Sequence, residues 1–158
     1  MSIKSQIEKD VIQSLRDGKK EVVTTLRMLK SKLQEREVAL RSEHGVDYKI
    51  DDEEATKAVS AYAKQRRDSI ESYKAAGRDE LVDKEQRELD IVNSYLPEQL
   101  DADTLRMIVT EAVAEVGATG PQQMGQVMKI VMPKVQGQAD GKQVNAIVRE
   151  LIASTPDK

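Results

Sequence analysis

The sequence predicts an all-α protein: a four-helix N-terminal domain followed by a small three-helix C-terminal domain. Three observations predict it. Apolar residues recur at three- and four-residue intervals over nearly the whole chain. No alternating apolar–polar run of useful strand length interrupts them. At Tyr95-Leu96-Pro97-Glu98 the helical register has to break, because proline lacks an amide proton and restricts the residue before it.

In chain order, Ile3, Ile7, Val11, Ile12 and Leu15 form the first stripe, which Asp17-Gly18 ends. Val22, Leu26, Leu29 and Leu33 form the second, with Met28 and Leu40 adding breadth. The segment EHGVDYKI (43–50) breaks the pattern. Asp51 opens a third helix, with Glu54 three residues on in the manner of a capping box. Its face runs through Ala55, Val59, Tyr62, Ala63, Ile70 and Tyr73 to Gly77, a left-handed C-terminal cap. A very polar fourth helix from about Arg78 to Ser94 carries Leu81, Leu89, Val92 and Tyr95.

After Pro97 the composition shifts toward Gly, Ala, Val and Met. Asp101 caps a helix that reaches about Val116, and Gly117 and Gly120 punctuate. Pro121 suits the first turn of a helix holding Met124, Val127, Met128, Val131 and Met132 and ending near Pro133. GQADGK (137–142) is a turn, and Asp140 is the expected N-cap of a last helix with Val144, Ile147, Val148, Leu151 and Ile152. The expected domains are therefore 1–96 and 97–158.

The chain has 158 residues, enough for one domain or two small ones, and needs neither disulfides nor metals to build a core. Zero Cys excludes disulfides, thiolate nucleophiles, Fe–S clusters and Cys-ligated zinc, and a single His, His44, excludes mechanisms that need two. No apolar run approaches a membrane span, and the start MSIKSQIEKD has no signal-peptide core, so a cytoplasmic protein is expected. Net charge is −3, unevenly spread. Residues 1–40 carry nine basic against six acidic side chains, residues 41–120 eleven against nineteen, and residues 121–150 four against two. An acidic middle flanked by basic ends is compatible with polyanion binding at one end.

Candidate chemistry is sparse. DDEE (51–54) has the look of a divalent-cation site, but four acids at a helix start are what the macrodipole favours. GQADGK lacks the spacing and the Ser/Thr of a phosphate-binding P-loop. His44 reads as a solvated loop residue, and Ser69 has no visible base or oxyanion hole. Met124, Met128 and Met132 stand at i,i+4 spacing, which is core or an adaptable binding face. No catalytic residue, metal ligand or cofactor site is expected.

The remaining cluster is basic. Lys129, Lys134, Lys142 and Arg149 lie in the final thirty residues beside Gly125, Gly137 and Gly141. Small residues let a backbone approach a phosphate closely, and helix starts near Pro121 and Asp140 present amides to an anion. The plainer reading is also open: glycines after helices are routine caps, and four cations in thirty residues is an ordinary density.

Two runs carry a resemblance. KQRRDSIESYKAAGRDELVDKEQRELDIVNSYLPEQL (64–100) resembles the signature of the YqeY-like family. MGQVMKIVMPKVQGQADGKQVNAIVRELI (124–152) is similar to the module that this family shares with the tail of the B subunit of glutamine-dependent aminoacyl-tRNA amidotransferases. The resemblance implies a helical N-terminal domain, a three-helix tail domain, and a non-catalytic tRNA-binding or amidotransferase-associated role. It would attach the label of a carbon–nitrogen ligase with glutamine as amido donor, yet neither the kinase-like part of that B subunit nor a Ser-Ser-Lys amidase segment has a counterpart here. Implied partners are tRNA and an amidotransferase or other protein, with Lys129, Lys134, Lys142 and Arg149 on phosphates and the three glycines permitting close approach. No aromatic residue falls in 96–158, so recognition by shape and charge is expected. The alternative is a helical protein-interaction adaptor without an RNA ligand, which the acidic middle favours.

Overall fold

A computed structural model describes residues 1–153, so the last five residues of the expected 97–158 segment lie outside it. The described residues form seven α-helices: α1 Ile3–Arg16, α2 Lys20–His44, α3 Asp52–Ala75, α4 Asp79–Asn93, α5 Ala102–Val116, α6 Met124–Lys134 and α7 Gly141–Ala153. A short 3-10 turn, Pro121–Gln123, precedes α6. Helices α1, α3 and α5 start where a side chain satisfies an orphan amide. The Ser2 hydroxyl accepts from Ser5 N–H at 3.1 Å, Asp51 from Glu54 N–H at 2.8 Å and Asp101 from Thr104 N–H at 2.7 Å. α5 closes at Gly117 with φ +68°, a left-handed conformation in which a Cβ would be strained.

By contact, the helices divide into two groups, Met1–Pro97 and Glu98–Lys158. In the first, α2 packs against α1, α3 and α4, and α3 packs against all of the others. The buried core is Ile7, Leu29, Leu33, Ile50, Ala55, Val59, Tyr62, Ala63, Ile70, Leu89 and Val92. Each fully buried leucine contributes about 2 kcal/mol through the area taken from water. The α1 stripe is narrower than its apolar pattern. Ile12 and Leu15 are about half exposed, because they stand roughly 140° and 80° around an ideal helix from buried Ile7. Met28 on α2 is likewise solvent-facing.

One carboxylate is nearly inaccessible. Glu37 lies in the solvent-rich pattern of α2, yet it is 2% exposed. It accepts from Ile50 N–H at 3.0 Å and from Lys4 Nζ at 2.9 Å, with Arg41 at 3.5 Å. These bonds tie α1, α2 and the 45–51 segment together. The Ile50 amide, then the Lys4 ammonium, hold its pKa below the usual carboxylate range.

In the second group, α5, α6 and α7 pack pairwise over Leu105, Val109, Ala112, Ala118, Val127, Val131, Val135, Val144, Ile147, Val148 and Ile152. Met124, Met128 and Met132 line the rim of this core, partly buried. α6 runs one residue past Pro133, because only the amide that would reach the Lys129 carbonyl is lost, and Val135 N–H still closes on Val131 C=O at 3.2 Å. The segment 98–100 is laced to the α6–α7 turn: Leu100 N–H donates to Gln138 C=O at 2.8 Å, and Gln99 Nε2 to Gly137 C=O at 2.7 Å.

Candidate nucleic-acid interface

The expected basic residues sit on α6 and α7, and Gly137 lies in the turn between them. Gly125 and Lys129, one turn apart, share the solvent face of α6, and both are exposed. A Cβ built on Gly125 meets nothing within 4 Å, so the surface there is open to a close approach. Lys134 occupies the last turn of α6, where a cation also complements the helix dipole. Lys142 and Arg149, seven residues apart, lie along one exposed face of α7.

Among the described residues, Lys129, Lys134 and Arg149 enter no ion pair, whereas Arg106 of α5 is bound by Glu150 through two bonds of 2.7 and 2.9 Å. Across the described lengths of α6 and α7, Glu150 alone stands against four cations, and α5 carries Asp103, Glu111 and Glu115 against Arg106. The arrangement makes one side of the group basic and leaves α5 acidic. Glu150 is held below the ordinary glutamate range by the Arg106 hydrogen bonds, which keeps it charged.

The glycines divide. Gly141 starts α7 with open space above its Cα, beside Asp140, whose carboxylate accepts from Lys142 N–H at 3.3 Å. Gly137 is buried and turns at φ +75°, and its carbonyl is occupied by Gln99. That conformation explains the glycine by itself. Arg149 also lines a groove of about 400 Å³ with Pro121, Met124, Ile152 and Ala153, which brings α7 beside the start of α6.

Elsewhere the other sequence candidates find structural uses. Asp51 caps α3, Asp52 accepts from Ile3 N–H at 2.9 Å, Glu53 pairs with Lys57, and Glu54 pairs with Arg36 and Lys57. His44 closes the last turn of α2, where a loop residue was expected, and its ring stacks on Tyr48 at 4.7 Å. In the 64–100 run, Arg66 lies over the Tyr62 ring at 4.8 Å and reaches Glu85 at 3.1 Å and Glu88 at 3.3 Å, pinning α3 to α4. Tyr95 donates its hydroxyl to Asp10 at 2.6 Å, joining the end of that run to α1. Sequence reasoning missed Glu37 and Tyr95–Asp10, since nothing local marks a carboxylate whose partner lies dozens of residues away.

The family model described as "Yqey-like protein" matches residues 4–152. The chain belongs to the YqeY-like family. The YqeY-like match spans α1 through α7, so it includes both helical groups. The chain is also similar to the Saccharomyces cerevisiae protein named "Altered inheritance of mitochondria protein 41, mitochondrial". In strains YJM789 and S288c the identity is 36% over 73 residues, covering 46% of this YqeY-like chain. The match spans 37% of the length of these curated relatives. Among the described residues no helix is long and apolar enough to cross a membrane.

Proposed function

We propose that this chain is a non-catalytic RNA-binding module whose ligand is tRNA, working beside a tRNA amidotransferase or another tRNA-handling protein. The observation that carries the reading is the exposure of Lys129, Lys134, Lys142 and Arg149 on α6 and α7 beside the open backbone at Gly125 and Gly141. Phosphates would meet these cations, and bases would make no stacking contact with this group, which has no aromatic side chain among its described residues. We take residues 1–96 and 97–158 as separately folding domains and the cytoplasm as the compartment. The label of a carbon–nitrogen ligase would then describe the assembly it serves and not a reaction of its own.

Fluorescence anisotropy with bulk tRNA at two salt concentrations tests the reading. Affinity should fall as salt rises, and a Lys129/Lys134/Lys142/Arg149→Glu variant should lower the logarithmic salt slope by about 3. A flat salt response, or equal binding by the variant, defeats it. The adaptor reading draws on two other observations: Met107 is 66% exposed on α5, and the groove at Pro121 and Ile152 is mostly apolar. It predicts a stable protein complex that survives nuclease treatment.

A further inference from the structure

We propose that the turn joining α1 to α2 is a binding site for a phosphate group. A cleft of about 330 Å³ opens there, lined among others by Ser14, Gly18, Lys19, Lys20, Thr24 and Arg27. It sits at the start of α2, a helix of 25 residues whose N-cap, Lys19, supplies no side-chain acceptor. Lys19 N–H is taken by Ser14 C=O at 3.0 Å, Lys20 N–H by Gly18 C=O at 3.1 Å and Val23 N–H by Lys19 C=O at 3.0 Å. The amides of Glu21 and Val22 have no such partner and stand at the positive end of the helix.

A second observation is independent of the helix end. Ser14 belongs to α1, is 8% exposed and faces the cleft. Its hydroxyl makes no hydrogen bond within the described residues, while the neighbouring Thr24 hydroxyl donates to Lys20 C=O at 3.0 Å. A hydroxyl with no acceptor inside the fold leaves its donor for an oxygen that enters the cleft. A phosphate oxygen in the cleft would accept from Ser14 Oγ and from the two amides.

The charge around the cleft suits an anion. Lys19, Lys20 and Arg27 are exposed and enter no ion pair among the described residues. Of the nearby acids, Glu21 is paired with Arg87 at 2.9 Å. Exposed Asp17 accepts from the neutral Gln13 Nε2 at 3.0 Å and keeps its charge, which leaves three cations against one acid. The ligand is therefore a tetrahedral oxyanion, either free phosphate or the phosphodiester of an RNA strand. This site lies outside the α6–α7 surface and does not depend on the role proposed for that surface.

The test is a 1H–15N NMR titration of the full chain with millimolar sodium phosphate against sodium chloride of matched ionic strength. Glu21 and Val22 amides should shift saturably with phosphate and not with chloride. Ser14→Ala should weaken the response about threefold, by loss of one hydrogen bond. A Lys19→Gln/Lys20→Gln variant, which alters only exposed side chains, should weaken it about tenfold. The Lys129/Lys134/Lys142/Arg149→Glu variant should leave it unchanged, which separates this site from the tRNA reading. A ribo-oligonucleotide without terminal phosphates that displaces phosphate from these amides identifies an RNA backbone as the ligand; failure to displace identifies free phosphate. No saturable shift at Glu21 and Val22, or equal affinity in Ser14→Ala and Lys19→Gln/Lys20→Gln, overturns the proposal.

Discussion

The two helical groups are built on different principles. In Met1–Pro97, long helices are clasped by ion pairs between elements: Lys4–Glu37, Arg36–Glu54, Arg66 with Glu85 and Glu88, and Arg87–Glu21. In Glu98–Lys158 the core is a tight set of valines and small aliphatics, and Arg106–Glu150 is an exposed clasp. Between the helices of the first group, these pairs put charge to structural use, while Lys19, Lys20 and Arg27 at the α1–α2 turn enter no ion pair among the described residues. In the second, Lys129, Lys134 and Arg149 enter no ion pair among the described residues. A charged surface is informative about ligands only after the internal pairs have been subtracted.

The sharpest way to test that contrast is to damage one core at a time. Leu33 is fully buried in the first group, and Leu33→Ala should cost about 3 kcal/mol. If the groups fold separately, hydrogen exchange should quicken through α1–α4 while amides of α5–α7 keep their protection. Uniform loss of protection would join the two into one cooperative unit.

Glu37 offers the next largest effect. Glu37→Ala strips the Ile50 amide of its acceptor and leaves Lys4 and Arg41 without their carboxylate, at about 2 kcal/mol in a urea melt at neutral pH. Its folded pKa lies below the unfolded value, so the stabilisation is present above the ordinary glutamate pKa and is lost as pH falls through the folded one. The wild-type chain should thus lose more stability on acidification than Glu37→Ala does. Parallel pH curves would mean the carboxylate is not linked to folding.

Glycine exchange sharpens the second group. Gly137→Ala forces a Cβ into φ +75° and should destabilise by about 1 kcal/mol. Gly125→Ala sits in a helix with open space and should stabilise by about 0.5 kcal/mol, while weakening tRNA binding if close backbone approach matters. The smallest change is expected from Arg106→Met. It removes an exposed ion pair, so any loss in Tm should disappear in high salt.

Much of this molecule was legible residue by residue. Asp51 and Asp101 announce their helices because a short carboxylate at an N-cap reaches the amide three residues on, a purely local geometry. The three-and-four spacing in α5 and α7 marks Val109, Val144 and Val148, and all three are fully buried. Spacing overstated the core at Ile12, Leu15 and Met28, since a helix buries only the arc its neighbours cover. The basic side chains of α6 and α7 were visible as a list, and their exposure follows from the same periodicity.

What sequence alone determined is what depends on neighbours within a turn or two: the all-α class, the caps and most of each buried stripe. The tertiary structure decided the rest. Glu37 is buried because the Ile50 amide and the Lys4 ammonium converge on it from other segments, and Tyr95 meets Asp10 across 85 positions of chain. Burial of the Tyr95 ring, then the adjacent carboxylate, raises that phenol's pKa well above the ordinary tyrosine value. The α1–α2 cleft is of the same kind: Ser14 is one more small residue on a helix until α2 folds back over it. Local propensity is encoded within a turn of chain, whereas desolvation and pairing arise only when distant segments share a volume.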